Sequence, residues 1–373
     1  MKHSIFYISV IALLVLAPAV ALADNNVTVI KPIAYLGAYG TGNGQIDTPL
    51  CVKVDSNDSV YILQDVHYAT NKFKTMISVY DKNLTFVRSF YILKHSMDQV
   101  PWDPAPNGYY YDNLATSFDI DNSGNIYVLC GWDVVIFYNN GTYRSQFPDY
   151  PFMGWIDKTA DSTTFYYPHG IVVTDSGQIL ITSGSSPQKQ EFIFINPDGR
   201  LAKKIDAPVK DIYDITRDRN GSVYLTGAGS SIIHVYNATL TNETDMPLYF
   251  NGTYNGNPTS LAFFSTGNVT ASANGIFIYD ANGTMTAQFM DNNVSANNVS
   301  WDRPIATNST DWLIVVSGMK DSDRTPQPIA LYRYDAGELV GAPKPENNDV
   351  CTSVLAMFGF TWVLYFLVKR YGH

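Results

Sequence analysis

Cysteine is scarce: the 373 residues include three, Cys51, Cys130 and Cys351. That excludes a fold stapled by a disulfide framework. Cys51 and Cys130 lie in the apolar runs "LCVKV" and "IYVLCGW", where they could form one bridge in an exported chain or remain two buried thiols. Histidine is nearly as rare, with six, and no Cys/His spacing suited to a metal is present. Charge is thin at 16% of residues and unbalanced, 24 Lys+Arg against 34 Asp+Glu for a net −10. With no basic stripe, nucleic acid is excluded as a partner. Long hydrophobic runs are missing from the interior of the chain and occur only at its two ends.

The first run, "MKHSIFYISVIALLVLAPAVALA", has a basic Lys2, an apolar stretch, and Ala21 and Ala23 flanking Leu22. It reads as a secretory signal peptide over 1–23, cut after Ala23. The second, Cys351 to Val368, carries no charge and is followed by Lys369 and Arg370. At 1.5 Å per residue it spans ~27 Å, enough to cross a bilayer's hydrocarbon layer. The basic pair would hold the tail, 369–373, in the cytoplasm. Pro- and Asn-rich "GAPKPENNDV" (341–350) reads as a short stalk. The order of stalk, apolar helix and basic pair also fits a sorting signal from which a transpeptidase removes the helix. Export accords with thirteen Asn-x-Ser/Thr sequons, at Asn26, Asn57, Asn83, Asn140, Asn220, Asn237, Asn242, Asn251, Asn268, Asn282, Asn293, Asn298 and Asn308. The expectation is a single-pass protein of the cell membrane with residues 24–340 outside the cytoplasm.

What the interior does have is repetition. "IFIYDANGTMTAQF" (276–289) is one of six like segments; the others are at 77–90, 135–147, 193–205, 233–246 and 329–340. In each, alternating apolar residues meet Asp or Asn, then a turn former, then a second strand, the pattern of a tight hairpin. Another hairpin precedes each, at 49–63, 115–129, 168–182, 212–226, 258–272 and 303–317. Each unit is thus four strands, A to D. Tyr80, Tyr138, Ile195, Tyr236, Tyr279 and Tyr334 serve as equivalent positions, 58, 57, 41, 43 and 55 residues apart. Four-stranded repeats of that period are β-propeller blades, and their strands are apolar on both faces because each sheet is sandwiched between neighbours. The predicted fold is all-β: a six-bladed β-propeller of four-stranded antiparallel blades, with residues near 27–39 completing the last blade.

The stretch "YLGAYGTGNGQIDTPLCVKVDSNDSVYIL", followed by "ISVYD", resembles an NHL repeat: a glycine-rich lead-in, Pro, an apolar strand, an Asp-headed turn, an apolar strand, then a strand ending Tyr-Asp. The resemblance covers residues 30–340. Strand B departs from the NHL pattern, ending "ILQD", "VLCG", "ITSG" and "LTGA". The resemblance implies six blades, A strands lining a central channel, and function on the face shared by the D–A and B–C connections.

Chemistry is sparse there. Thr116, His169, Tyr213 and Thr259, with Leu50 in the first blade, fall at the channel mouth, and Asp214 is the nearby carboxylate. His169 and Asp214 are the catalytic candidates, for a hydrolase or lyase holding a divalent metal in the channel. No Ser/His/Asp set or phosphate-cradling loop is legible, and no cofactor is expected. The Gly-rich "GTGNGQ" (40–45) precedes a strand and reads as a linker turn. The longer D–A insertions, 94–115 and 147–168, carry Trp102, Tyr109, Tyr110, Tyr111, Trp155, Tyr166 and Tyr167. With Tyr213, these rings are the predicted binding surface for a protein or glycan, since flat rings give contact area at low entropic cost. The B–C segment 64–75 would reach the same face. A binding or scaffold module is the leading expectation; a propeller enzyme and a structural component of a glycosylated surface layer are the alternatives.

Overall fold

The computed structural model describes residues 28–30, 33–69, 72–92, 115–130, 133–147, 168–183, 191–206, 212–227, 231–237, 243–250, 253–254, 258–272, 275–291, 304–316, 329–335 and 338–340. All lie in the compact unit Met1–Gly341. The signal segment, stalk, apolar segment 351–368 and tail fall outside the described residues. Among those described, no helix is long and apolar enough to cross a membrane.

Four short strands come first: β1 (Thr28–Ile30), β2 (Ala34–Leu36), β3 (Ala38–Tyr39) and β4 (Gln45–Ile46). Blade I is β5 (Thr48–Val54), β6 (Val60–Ala69), β7 (Lys72–Tyr80) and β8 (Phe86–Tyr91). Blade II is β9 (Ala115–Ile120), β10 (Ile126–Cys130), β11 (Asp133–Phe137) and β12 (Tyr143–Phe147). Blade III is β13 (Pro168–Val173), β14 (Ile179–Ser183), β15 (Glu191–Ile195) and β16 (Leu201–Asp206). Blade IV is β17 (Ile212–Arg217), β18 (Val223–Gly227), β19 (Ile232–Tyr236) and β20 (Glu243–Pro247), followed by a small hairpin, β21 (Tyr249–Phe250) and β22 (Thr253–Tyr254). Blade V is β23 (Ser260–Phe263), β24 (Val269–Ser272), β25 (Ile276–Tyr279) and β26 (Met285–Asp291). Blade VI is β27 (Ile305–Thr307), β28 (Trp312–Val315), β29 (Ile329–Asp335) and β30 (Glu338–Val340).

Within every blade, sequential strands pair antiparallel. The innermost strands β5, β9, β13, β17, β23 and β27 each pack on the next, and β27 returns to β5, so the ring is closed. This is a six-bladed β-propeller. Its core is distributed: six hydrophobic clusters, one at each joint between adjacent blades. The reason is written in the strands. Strand "IYVLC" of β10 is buried at every position, whereas the outermost β16 is mostly exposed. A sheet apolar on both sides must have a neighbour on both sides.

The A–B turns repeat one device. Asp55 Oδ1 accepts the N–H groups of Asn57 and Ser59 at 2.9 and 2.8 Å, and the Tyr61 hydroxyl donates to Oδ2 at 3.1 Å. Asp121 with Tyr127 and Asp218 with Tyr224 reproduce it at 3.2 and 3.1 Å. The aspartate heads the turn because its carboxylate satisfies turn N–H groups that no strand can reach.

Ring closure is shared more widely than predicted. β2 adds antiparallel to β29 of blade VI, pairing Ala34–Leu36 with Ile329–Leu331, as expected. β30 takes the remaining part of the same edge, Arg333–Asp335. β1, however, adds parallel to β26 of blade V. Two equivalences also shift. By register, the strand B residue five positions after each A–B turn head pairs with Tyr80, Phe137, Ile195, Tyr236, Tyr279 and, from Leu313, Tyr332. Tyr138 instead heads the C–D turn and is 47% exposed. Tyr334 stacks on Phe264 with ring centroids 4.1 Å apart. Within the segment 64–75, residues 64–69 and 72–75 are no loop insertion but strand, paired from Gln64↔Met76 to Ala69↔Lys72.

Candidate functional site

Counting back from the head of each A–B turn, the residues four and two positions earlier form two rings facing the channel. Cys51, Ser117, Asp214 and Ser260 belong to the first, and line a cavity of 580 Å³ at the D–A end. Lys53, Asp119, Thr216, Ala262 and Ala306 belong to the second, and line a cavity of 410 Å³ at the A–B end. Lys53 lines both and so stands at the partition.

The carboxylates of these rings cap neighbouring strands. Innermost strands are sheet edges, and their inward N–H groups need acceptors. Asp119 Oδ2 accepts the Val173 N–H at 2.8 Å, and Asp214 Oδ2 accepts the Leu261 N–H at 2.8 Å, each on the next blade's innermost strand. Ser260 Oγ accepts the Ile305 N–H at 3.2 Å in the same way. Arg217 then spans three blades. Its guanidinium contacts Asp175 Oδ1 at 2.7 Å, donates to the Ile120 carbonyl at 2.9 Å, and lies 3.8 Å from Asp119 Oδ2.

Charge at the partition is mutually adjusted. Burial raises the Asp214 pKa, opposed by the Lys53 charge and by hydrogen bonds from Leu261, Ser260 and Ile215. Burial alone would lower the Lys53 pKa, but Cys51, Asp119 and Asp214 outweigh it and the net direction is upward. Lys53 is therefore an ammonium, not a nucleophilic amine. Burial likewise pushes the Cys51 thiol up to about 11, against the pull of Lys53. Cys51 is thus a protonated, weakly nucleophilic thiol at neutral pH. Cys51 and Cys130 are both thiols, with no disulfide. Asp65, also on the D–A cavity, is raised by burial and steadied by the Thr75 hydroxyl at 2.8 Å.

Of the residues predicted from sequence, Leu50, Thr116, Tyr213, Asp214 and Thr259 are brought together around the D–A cavity. His169 lies within β13, but its side chain is outside what is described. Trp102, Tyr109, Tyr110, Tyr111, Trp155, Tyr166 and Tyr167 also fall outside the described residues. Among the described residues, no group of three or more His, Cys, Asp or Glu is placed to hold a metal ion. Sequon residues Asn57, Asn83, Asn140, Asn220 and Asn282 sit at exposed turn positions. Asn308 is 2% exposed, and its Oδ1 accepts from the N–H groups of Thr310 and Trp312, so in the fold it heads a turn.

Sequence reasoning passed over Lys53, Asp119 and Arg217. The signal was available: charged residues inside otherwise apolar A strands ("CVKV", "SFDI", "YDITR"), one or two positions before the turn head.

No family model matches the chain, and no curated protein matches it. Solved structures do. A luciferin-regenerating enzyme is similar at a TM-score of 0.51 and 14% identity, over 84% of this chain and 97% of that one. A streptogramin B lyase has a TM-score of 0.44 at 16% identity, over 81% and 87%. A Bacteroides caccae protein of unknown function has a TM-score of 0.44 at 11% identity, over 70% and 86%. At these identities the likeness is one of fold, and function must come from the site.

Proposed function

We propose that the protein is an exported, membrane-anchored, NHL-like propeller that binds a protein or glycan on the D–A face. The observation that carries this reading is the construction of the D–A cavity. Its 580 Å³ are lined by Thr116, Ser117, Tyr213 and Thr259 at the openings of the A strands. That size and mixture of rings and polar groups suit ligand capture. The two long connections, residues 93–114 and 148–167, leave and rejoin blades I, II and III at this same end. Their aromatic residues are the proposed contact surface, the segment 351–368 the proposed anchor, and the exposed sequons the proposed glycan acceptors.

Asp214 would not act as a metal ligand or base in this reading, because its carboxylate is already the acceptor that joins blade IV to blade V. The test is capture of ligand by the glycosylated ectodomain on a glycan array and from a displayed protein library. Trp102→Ala, Trp155→Ala and Tyr213→Ala should abolish capture while leaving the protein folded. Capture that survives all three removes the aromatic face. Stoichiometric metal in the purified ectodomain, lost on His169→Ala, would replace the binding reading with the enzymatic one.

A further inference from the structure

Each A–B turn needs one residue with positive φ, three positions after its head. In blades II to V that residue is Gly124, Gly177, Gly221 or Gly267, with φ of 80, 77, 81 and 86°. In blades I and VI it is Asp58 and Asp311, with φ of 62 and 61°. Aspartate tolerates this region at a cost that glycine does not bear. A residue kept in a costly conformation calls for something that offsets the cost.

Both aspartates grip the preceding blade. The Asp311 carboxylate accepts the backbone N–H and the hydroxyl of Ser265 on blade V, each at 2.6 Å. The Asp58 carboxylate accepts the backbone N–H of Ser309 on blade VI at 2.6 Å, and the Ser309 hydroxyl as well. In both pairs the serine directly follows a turn head. The chemistry is the same; the joints are not. Blades V and VI are consecutive in the chain and share further bonds: Thr307 Oγ1 to the Phe263 carbonyl at 2.5 Å, and Asn268 Nδ2 to the Tyr334 hydroxyl at 2.6 Å. Blades VI and I lie at opposite ends of the propeller sequence; Asp58 and Ser309 are 251 residues apart. Their joint holds a hydrophobic cluster that includes Leu36 of β2, and β2 itself runs along β29. Blade VI also has the shortest inner strand, three residues in β27.

We propose that the ring opens first at the joint between blades VI and I, and that the Asp58–Ser309 pair is the latch of that joint. Loss of the pair frees the β27–β5 edge, where the added strand β2 is the chain link into β5, while the other five joints, each bridged by chain running from one blade's own outer strand into the next blade, stay shut. This would widen the central channel from one side without unfolding a blade.

The sign of one substitution separates a latch from a mere turn residue. If Asp58 only occupies a positive-φ position, Asp58→Gly relieves the backbone and raises stability. As a latch, Asp58→Gly raises amide hydrogen exchange several-fold in β5, β27 and β28 of the full chain, with blade III unchanged, as expected when local opening precedes global unfolding. Ser309→Ala, which keeps the backbone bond, gives a smaller rise in the same strands and serves if the glycine variant folds poorly. Asp311→Gly, at the joint between the consecutive blades V and VI, gives less than Asp58→Gly. Unchanged or slower exchange in β5 and β27 for Asp58→Gly and Ser309→Ala overturns the proposal. So does an equal rise in blade III, or a larger effect from Asp311→Gly.

Discussion

The two ends of the channel are built by the same six strands and share Lys53, yet they have opposite characters. At the A–B end, five-residue turns leave little freedom. Asp55, Asp121 and Asp218 are bound into their own turns, and Asp119 and Asp175 are held by Arg217. At the D–A end the strands open onto a larger cavity lined by Thr116, Ser117, Thr259 and Tyr213, where connections of very different length arrive. The difference teaches where a propeller can afford function. Polar groups at the A–B end hold the ring shut; the variable end carries the larger of the two cavities.

The comparison breaks if the A–B end proves dispensable. Arg217→Ala should have the largest effect, about 3 kcal/mol of destabilisation, because the buried Asp119 loses its nearer cation and the Ile120 carbonyl loses its donor. Chemical denaturation measures it, and a loss near zero would mean that Arg217 is only a surface ion pair. Lys53→Met should cost somewhat less, about 2 kcal/mol at neutral pH. Its pH dependence carries the sign. The Asp214 pKa is raised in the fold, so Asp214 favours the folded state most when protonated and loses that contribution as pH rises through its folded pKa. Lys53 offsets this loss. The Lys53→Met penalty should therefore shrink toward pH 4, which unfolding curves at pH 4 and 7 would show.

A smaller effect belongs to Cys51. Its pKa rises from 9.0 to about 11 on folding. The contribution is complete below pH 9 and is lost as pH climbs through about 11, so Cys51→Ser should flatten the alkaline limb of the stability profile. Smallest of all is Tyr213→Ala at the D–A end, about 1 kcal/mol or less in stability, with the proposed ligand capture lost. A large stability loss there would erase the contrast between the two ends.

The blades themselves were legible because each is local. An Asp-headed or Asn-Gly turn between apolar strands fixes a hairpin within about fifteen residues, and all twelve hairpins form where the pattern placed them. Equivalences failed only where a turn head changed. Tyr138 replaces the usual Asp or Asn, so the eye aligned it with the buried aromatic one residue too late. In blade VI a second Tyr, two residues on, drew the match away from Tyr332. The D–A lining was visible through Thr116, Tyr213, Asp214 and Thr259, which lie beside the starts of three A strands. The partition was not: Lys53, Asp119 and Arg217 come from three blades, and a single repeat gives no sign that their charges meet.

By itself, the sequence determined the hairpins, the number of units and the two-sided apolar character that obliges them to stack. These depend on neighbours in the chain, through turn geometry and the alternation of side chains. Only the tertiary structure decided how the ring is locked. The placement of β1 on blade V, the Arg217 brace and the Asp58–Ser309 pair each join residues far apart in sequence, and such contacts exist only after the circle has closed.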